Sequence, residues 1–460
     1  MKLIRAFIVV GALGIVSTAA GQNLNSGYFN DGYLYRHELN PAYGNTQNYV
    51  AMPALGNLNL NLSSNLKISD LLYNIDGRTA LFLNPKVDAG AFLSGIHDKN
   101  RIAENLKIQL LGGGFKAWGG YNTIEINARQ NLYINLPGDL FRMAKNGLEN
   151  KTYDLSNLDA HADAYGELAF GHSRPINDKL RVGGKMKILL GMANFNANVE
   201  KARIELREDA YVGTTSATVQ TTLGSMRYKT ETTMRGPEGE QTEHRYVSGI
   251  DDASFGLVGG GLAFDLGAEY KINDQFKVSA ALLDLGFVRW KNCYEASTNG
   301  ERQINTDKYI FGFGEDEPNS FENEMDRLTE GLSALYELQD NGDLGGTARA
   351  LAATLNLGVE YTPDFYDKLT FGLVNNTRIA GKYSWTDFRI SANIAPVKCF
   401  SASATASAGT YGASFGWLLN VHPTGFNLFV GMDHTLGKLA KQGVPLSGRA
   451  QVSLGLNFPF

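Results

Sequence analysis

Over most of its length the chain alternates apolar and polar residues with a period of two, in runs too long for the strands of an ordinary soluble domain. Leu58, Leu60 and Leu62 share one face of an extended segment, and Asn57, Asn59 and Asn61 share the other. Ile124, Ile126 and Ala128 alternate in the same way with Glu125, Asn127 and Arg129, and Phe264, Leu266 and Ala268 with Asp265, Gly267 and Glu269. Further on, Leu355, Leu357 and Val359 alternate with Asn356, Gly358 and Glu360, and Phe388, Ile390 and Ala392 with Arg389, Ser391 and Asn393. Many of these runs reach about 10 to 14 residues, against ~5 to 6 in globular strands and ~9 to 11 for a tilted strand crossing a bilayer. A soluble sandwich also alternates, but its strands are shorter and its connections are not graded in length.

Composition removes the competing architectures. Charged residues make up 19% of the 460 residues while glycine supplies 52, which disfavours helical bundles and coiled coils. The formal charge of −5, from 42 Lys+Arg against 47 Asp+Glu, excludes a polybasic nucleic-acid binder. The 43% hydrophobic content contains one long apolar run, at the N-terminus, so any membrane must be crossed by strands. Two cysteines, with no CxxC and no close Cys/His cluster, predict neither a disulfide scaffold nor a metal or redox site, and no cofactor is expected.

Lys2 and Arg5 precede the apolar stretch from Ala6 to Val16, which is followed by the small residues Ser17, Thr18, Ala19, Ala20 and Gly21. This is the layout of a secretory signal peptide over residues 1–21, with Gln22 as the mature N-terminus. No Cys follows the cleavage site, so lipid anchoring is not expected. Residues 22–48 are polar, rich in Asn and Tyr and without a sustained period; they are read as an N-terminal plug or periplasmic segment. Residues 49–460 are read as the barrel. Its connections alternate between short turns at 176–179, 272–275, 362–368, 395–398 and 422–425 and longer loops at 136–160, 234–254, 292–349 and 435–447. Short turns at one rim and long loops at the other are the organisation of outer-membrane barrels. Leu266-Gly267-Ala268-Glu269-Tyr270 and Leu357-Gly358-Val359-Glu360-Tyr361 look like copies of one hairpin arm. The expected wall is an all-β, transmembrane antiparallel barrel of 14–16 strands, least certain over 201–234. Near Leu282 and Leu283 the apolar phase slips by one, which predicts a β-bulge before Asp284.

The chain ends Ser453-Leu454-Gly455-Leu456-Asn457-Phe458-Pro459-Phe460. Gly455, Phe458 and Phe460 resemble the C-terminal signal read by the barrel assembly machinery, which the resemblance implies as a partner in biogenesis. His37-Glu38-Leu39-Asn40-Pro41-Ala42, Asn135-Leu136-Pro137-Gly138-Asp139-Leu140-Phe141 and Leu283-Asp284-Leu285-Gly286-Phe287-Val288-Arg289-Trp290 resemble a family of outer-membrane barrels known only as a domain of unknown function. That family is in turn distantly similar to the long-chain fatty-acid transporter barrels, whose N-terminal segment plugs the lumen, and to barrel subunits of the type IX secretion system. The resemblance implies a bacterial outer-membrane location after export. It supplies no functional residues.

Lys107, Glu125, Arg129, Glu167, Arg181, Lys185, Lys187, Asp265, Glu269, Lys277, Glu360 and Arg389 fall on the polar faces of their strands and are the candidate lumen-lining residues. A barrel must turn that face inward, because lipid cannot hydrate a charge. The functional reading is a selectivity lining for a polar solute; the structural one is that mixed charges pair and fill the lumen. The mixture of signs argues against strong anion or cation selectivity. Leu60, Ile126, Leu266, Leu357 and Leu454 are expected to face lipid, with Asn59, Asn127 and Asn356 facing inward.

Gly412-Ala413-Ser414-Phe415-Gly416 matches the GxSxG nucleophile pattern but sits inside an alternating strand rather than at the strand-to-helix elbow that chemistry needs. The seven histidines show no metal-ligand spacing, and no enzymatic activity is expected. The 292–349 insertion carries Glu315, Asp316, Glu317, Glu322, Glu324, Asp326 and Glu330, with Phe321, Met325, Leu328, Leu332 and Leu335 at helical spacing. It is read as a long acidic extracellular loop with a helix, a cap for the pore or a solvated face. Asp340-Asn341-Gly342-Asp343 reads as a turn. Two functions fit this sequence: passage of a small or amphipathic solute across the outer membrane, or a structural or assembly barrel that binds a secretion or surface partner through its loops. Outer-membrane lipid is the partner common to both, and no nucleic acid is expected.

Overall fold

The computed structural model describes residues 23–146, 152–206, 211–236, 241–298, 323, 326–327, 337–434 and 449–460. The expected signal peptide, most of the acidic insertion with its helical stripe, and the 435–447 loop lie outside the described residues.

The alternating runs become long strands. The first wall strand is built of two pieces, β1 (Tyr49–Ala51) and β2 (Leu58–Ser64). Outside the wall, β3 (Leu72–Ile75) and β4 (Arg78–Leu81) form a separate hairpin, turned by Asp76 and Gly77 with positive φ. The wall resumes with β5 (Lys99–Ala117) and β6 (Gly120–Pro137), then, after the short β7 (Thr152–Asp154), with β8 (Asp159–Pro175) and β9 (Leu180–Leu206). Next come β10 (Tyr211–Thr222), β11 (Ser225–Arg235) and β12 (Thr242–Ser254), which stand off the barrel. β13 (Gly259–Lys271) and β14 (Phe276–Trp290) return to it, followed by the short β15 (Tyr294–Ser297), β16 (Gln339–Asp343) and β17 (Thr347–Ala350). The remainder are β18 (Ala353–Tyr361), β19 (Leu369–Ile379), β20 (Trp385–Val397), β21 (Phe400–Gly409), β22 (Gly412–Val421), β23 (Asn427–Met432) and β24 (Arg449–Pro459).

The wall closes. β24 pairs with β2 through Leu58↔Leu454 and with β1 through Tyr49↔Pro459, and β2 pairs on its other side with β5 through Leu58↔Ile108. The result is a closed 14-strand antiparallel barrel, the lower of the two expected counts. Closure leaves no unpaired edge for lipid to cover, a condition that an open sheet could not meet.

The uncertain stretch 201–234 is accounted for by the length of β9. Its 27 residues, at ~3.3 Å each, far exceed what a tilted crossing needs. The first half of β9 pairs with β13 from Leu180 to Gly191, and its second half leaves the wall to pair with β10. β10 then pairs with β15, and β15 with β16, so the ends of the acidic insertion are strands of this extension rather than loop. The 234–254 loop is largely a hairpin, β11 with β12. Asp340-Asn341-Gly342-Asp343 is also part of β16, not a free turn. Gly342 takes φ +80° there, and its N–H donates to Asp340 Oδ1 at 2.9 Å, so a bulged strand presents the residue types of a turn.

Burial is inverted relative to a soluble protein. Leu266 (56%), Phe388 (57%) and Ile390 (61%) are exposed on the outer face, whereas Asn59, Asn127 and Asn356 are at most 1% exposed on the inner face. A sandwich would bury the first set, so this pattern decides for a wall that meets hydrocarbon. Leu357 is exposed as well, Ile126 and Leu454 are half-buried, and the side chain of Leu60 lies outside the described residues. At the short-turn rim Trp118, Phe365 and Phe460 point outward, 75–81% exposed, as the aromatic girdle of a barrel rim does. No described helix is long and apolar enough to cross a membrane.

At the opposite rim lies a small module with its own core. Leu66, Val87, Phe92, Ile96 and Phe141 are buried together, drawn from residues 65–98 and from the helix Gly138–Asn146. The Phe82 and Phe92 rings stack at 4.2 Å. Asp88 caps the helix Ala89–Leu93 by accepting from the Ala91 N–H at 2.7 Å.

Candidate functional site: a plugged and ion-paired lumen

Residues 23–48 fold inside the barrel. They form two 3-10 turns, Asn25–Gly27 and Leu34–Glu38, too short to satisfy their own backbone groups. The wall supplies many of the missing partners. Asn356 Nδ2 donates to Leu39 O at 2.8 Å, Arg181 Nε to Ala42 O at 2.6 Å and Asn420 Nδ2 to Gly32 O at 2.6 Å. Asp433 accepts from the N–H groups of Asn25 and Ser26 at 2.7 and 2.6 Å. These contacts explain the density of Asn on the inner face: an amide offers both donor and acceptor to irregular backbone.

The remainder of the plug is aromatic. Tyr28, Phe29, Tyr33, Tyr35 and Tyr43 form a buried cluster with Leu24 and Leu39, continued on the wall by Val374, Leu418 and Phe429. Tyr33 packs edge-on against Phe429 at 4.9 Å. Wall glycines make room for it. Gly183 and Gly267 are cross-strand partners, and a Cβ on either would strike the Asn40-Pro41-Ala42 backbone or the Asn40 side chain; at Gly372 it would strike the Phe29 ring.

Above and beside the plug the candidate charges assemble into two groups. In the first, Lys107 Nζ lies 2.5 Å from Glu38 Oε1 and 3.8 Å from Glu125 Oε2, Lys185 Nζ lies 2.9 Å from Glu125 Oε1, and His37 Nε2 lies 2.8 Å from that same oxygen. In the second, Asp284 is the hub. It takes Arg129 Nη1 at 2.9 Å, Lys187 Nζ at 2.6 Å and Arg378 Nη1 at 3.3 Å, while Lys187 also meets Asp265 at 2.7 Å and Arg129 meets Glu167 at 2.9 Å. Asn127 joins the groups by donating to Glu125 at 3.3 Å and to Glu167 at 2.9 Å. Five carboxylates thus face five Lys or Arg cations, with His37 in addition. The layer spans the lumen, since its members come from β5, β6, β8, β9, β13, β14, β19 and the plug.

The other candidates lie elsewhere on the inner face. Lys277 and Glu360 pair at 2.8 Å, Arg181 holds the plug at Ala42, and Glu269 stands half-buried opposite Arg181 in the sheet register. Arg389 is buried between Asp387 at 3.2 Å and Asp433 at 3.5 Å. Gly455, Phe458 and Phe460 lie at the end of β24: Phe458 and Phe460 face outward, and a Cβ at Gly455 would meet Phe429 and the Gly56 carbonyl.

Asp284 was not among the residues singled out, although its signal was present. The phase slip is a real bulge: Phe264 pairs with Leu285 and Leu266 with Leu282, so Leu283 and Asp284 together oppose Asp265. Asp284 takes φ +58°, and its N–H donates to Asp265 Oδ1 at 2.7 Å. Glu38, Arg378 and Asp433 were also missed, the first because the plug shows no period and the last because it stands past the end of β23.

His37, Glu38 and Glu125 lie close enough to share a metal ion. The same carboxylate oxygens already hold Lys107 and Lys185, so an entering cation would meet two ammonium groups. At the GxSxG motif, Ser414 lies within β22 and its Oγ is 2.8 Å from His434 Nδ1. Arg449 Nη2 donates toward His434 Nε2 at 3.3 Å, which leaves the ring proton on Nδ1. The imidazole therefore donates to Ser414 instead of accepting from it, the reverse of what a general base requires.

A cavity lies on the side of the plug away from the short turns, lined among others by Asn23, Asn25, Asn105, Asn376, Arg378 and Trp385. Toward the same rim stands the turn Gly381–Tyr383. From there Lys382 crosses to Asp159 at 2.5 Å and Asn198 at 2.7 Å, and the Tyr383 ring stacks on Tyr133 at 5.3 Å, although β19 and β20 stand across the barrel from β6 and β8.

A family profile matches residues 41–433 of this chain, covering the plug's end, the wall as far as β23 and the outer extension. The chain belongs to the family of unknown function DUF5723. Among solved structures this DUF5723 chain is similar to the toluene transporter TbuX of Ralstonia pickettii, at 8% identity and TM-score 0.39, over 96% of this chain and 95% of that one. It is also similar to a Pseudomonas aeruginosa FadL homologue, at 10% identity and TM-score 0.36, over 96% and 98% of the two chains. The translocator domain of the autotransporter NalP from Neisseria meningitidis matches at 6% identity and TM-score 0.33, over 91% and 90%. No curated protein matches the chain.

Proposed function

We propose that this is a bacterial outer-membrane barrel that passes a small solute through a lumen held shut from two sides. The short-turn rim, where Asn48 and Phe460 meet, is the periplasmic one, and the rim with the β9 extension is extracellular. The observation that carries the reading is how the plug is held. Its charged anchors are ion pairs and single hydrogen bonds to side chains, with no strand pairing into the wall over residues 23–48. Contacts of this kind can be exchanged for water one at a time, whereas a plug woven into the sheet could move only by breaking the barrel. The neutral charge layer suits a solute without strong net charge.

A tether tests it. Ser26 Oγ lies 3.0 Å from Thr405 Oγ1 on β21, close enough for a Ser26→Cys/Thr405→Cys pair to bridge in a Cys293→Ser/Cys399→Ser background. Liposomes carrying the oxidised protein should fail to swell in small neutral solutes and recover on reduction. Swelling that is indifferent to the tether contradicts a plug that must shift.

A second reading, docking of a surface partner, is favoured by the rim module, whose own buried core gives it a fixed shape. Replacing residues 68–94 by a short turn separates the two: a module that serves a partner leaves swelling unchanged, whereas loss of swelling ties it to the conduit.

A further inference from the structure

We infer that Arg289 and Lys291, at the extracellular end of β14, form a docking surface for the phosphate of an outer-leaflet glycolipid. This goes beyond the transport reading and takes from it only which rim is extracellular.

The outward face of β14 fixes the height of the pair. Phe276, Val278, Ala280, Leu282, Leu285 and Phe287 follow one another up that face, with the bulge at Leu283 and Asp284 between the fourth and fifth. At ~3.4 Å per residue and a tilt of ~40°, the climb from Phe276 to Phe287 is roughly 28 Å, close to the ~30 Å of a hydrocarbon core. The next outward residue is Arg289, which is exposed, and Lys291 just beyond the strand is exposed as well. Both therefore stand level with lipid headgroups, with Phe287 and Leu262 below them still facing acyl chains.

The neighbours of Arg289 in the sheet are small. Gly260 of β13 pairs with it on one side and Ala348 of β17 on the other, so nothing bulky screens the guanidinium from a headgroup. Beside Lys291 runs the connection from β12 to β13, whose Val258 carbonyl accepts from the Lys291 N–H at 2.7 Å. Val258 is buried in the cluster that includes Trp290, while Phe255 and Leu257 in the same connection are 75% and 70% exposed. Two cations and two apolar side chains thus share one stretch of the rim, which is the pairing that an anionic headgroup with acyl chains meets on both counts.

The cations are uncommitted. Neither side chain has an ion pair or hydrogen bond to a described residue. Asp343, on the strand leading to Gly346 beside the guanidinium, accepts instead from the Gly345 N–H at 2.7 Å. This contrasts with the lumen, where Arg129, Lys187 and Arg378 converge on Asp284. An Arg offers a planar fork that matches phosphate oxygens in pairs, and the Lys adds a point charge. A soluble polyanion would have to lie against the lipid-facing side chains to reach the pair, whereas a lipid phosphate is already at that level.

The test is native mass spectrometry of the full chain in detergent micelles, with diphosphoryl lipid A as the probe and phosphatidylglycerol and phosphatidylcholine as comparisons. The wild type should retain lipid A in preference to both, and Arg289→Gln/Lys291→Gln should lower that retention several-fold with heat-modifiable gel mobility intact. Arg289→Lys, which keeps the charge and loses the fork, should fall between them. Arg174→Gln is the control: Arg174 is exposed on the outward face of β8 at the opposite rim, so its removal should leave lipid A retention unchanged. Retention that survives the double substitution in folded protein, or that falls equally in Arg174→Gln, overturns the site. A preference for phosphatidylglycerol that the double substitution abolishes would overturn the glycolipid and the rim assignment together. The tether and swelling experiment reads transport independently of all these outcomes.

Discussion

Asp284 shows how much of the lumen depends on one backbone irregularity. In an unbroken β14 the alternation would put either Leu283 or Asp284 on the lipid face; the bulge turns both inward, and both are buried. Left-handed φ is tolerated by Asp better than by most residues, and the carboxylate then reaches three cations from β6, β9 and β19. Asp284→Ala should leave those cations partly unpaired in a buried layer, destabilising the barrel by about 3–5 kcal/mol, read as a lower urea midpoint for loss of heat-modifiable mobility. Asp284→Asn, which keeps the local geometry, should fall between wild type and Ala. On the outer face, Leu266→Arg should cost roughly 2–4 kcal/mol in the same assay, whereas an Arg on the inner face at Asn59 should cost less. Equal penalties would mean that both faces are dry. The polarity of each face was legible residue by residue, because a period of two assigns it without reference to partners. The hub was not, since Arg378 lies 94 positions and Arg129 155 positions along the chain from Asp284, and only closure of the wall brings them together.

Among the elements, the two similar arms Leu266–Tyr270 and Leu357–Tyr361 acquire a reason for their likeness. The second residue of each is a glycine against the plug: Gly267 under Asn40 and Pro41, Gly358 under the rings of Tyr28 and Phe29. The fourth is a glutamate on the inner face, Glu269 beside Arg181 and Glu360 on Lys277. A repeat in the sequence is thus a repeated seat. Gly183→Val, which meets plug backbone rather than a movable side chain, should loosen the plug and raise single-channel conductance in a folded barrel; conductance at the wild-type level would show that the seat yields without releasing it. The cysteines test strand direction. Cys293 follows the far end of β14 and Cys399 lies at the short turn before β21, so both thiols should titrate as free under denaturing, non-reducing conditions, and a count of zero would contradict their placement at opposite rims and with it the strand parity. Wall elements could be read in advance because each carries its own period. The β9–β10 extension and the rim module could not: the extension buries mostly small or polar side chains such as Ala197, Ala217, Thr221 and Ala296, whose alternation is weak, and residues 65–98 take their core from the distant helix Gly138–Asn146.

At the scale of the molecule, an apolar exterior, a closed wall and a polar interior filled by the chain's own N-terminal segment form one solution to one constraint. Every backbone group facing hydrocarbon must be paired, and every charge must find a partner inside. Fourteen strands enclose more space than their side chains fill, so residues 23–48 complete the interior with an aromatic core rimmed by hydrogen bonds. A plug or periplasmic segment and a range of 14–16 strands were to be expected from composition and connection lengths, while the depth at which residues 23–48 sit and the reach of Lys382 and Tyr383 to Asp159 and Tyr133 depend on contacts between walls far apart in sequence. The central claim is that this segment shuts a conduit rather than merely stabilising a wall. Single-channel recording in planar bilayers, comparing the full chain with a secreted form lacking residues 23–46, tests it most directly. The account predicts a nearly silent full-length barrel and discrete, larger openings from the deletion, both with intact heat-modifiable mobility; equal conductance from two folded proteins would contradict it.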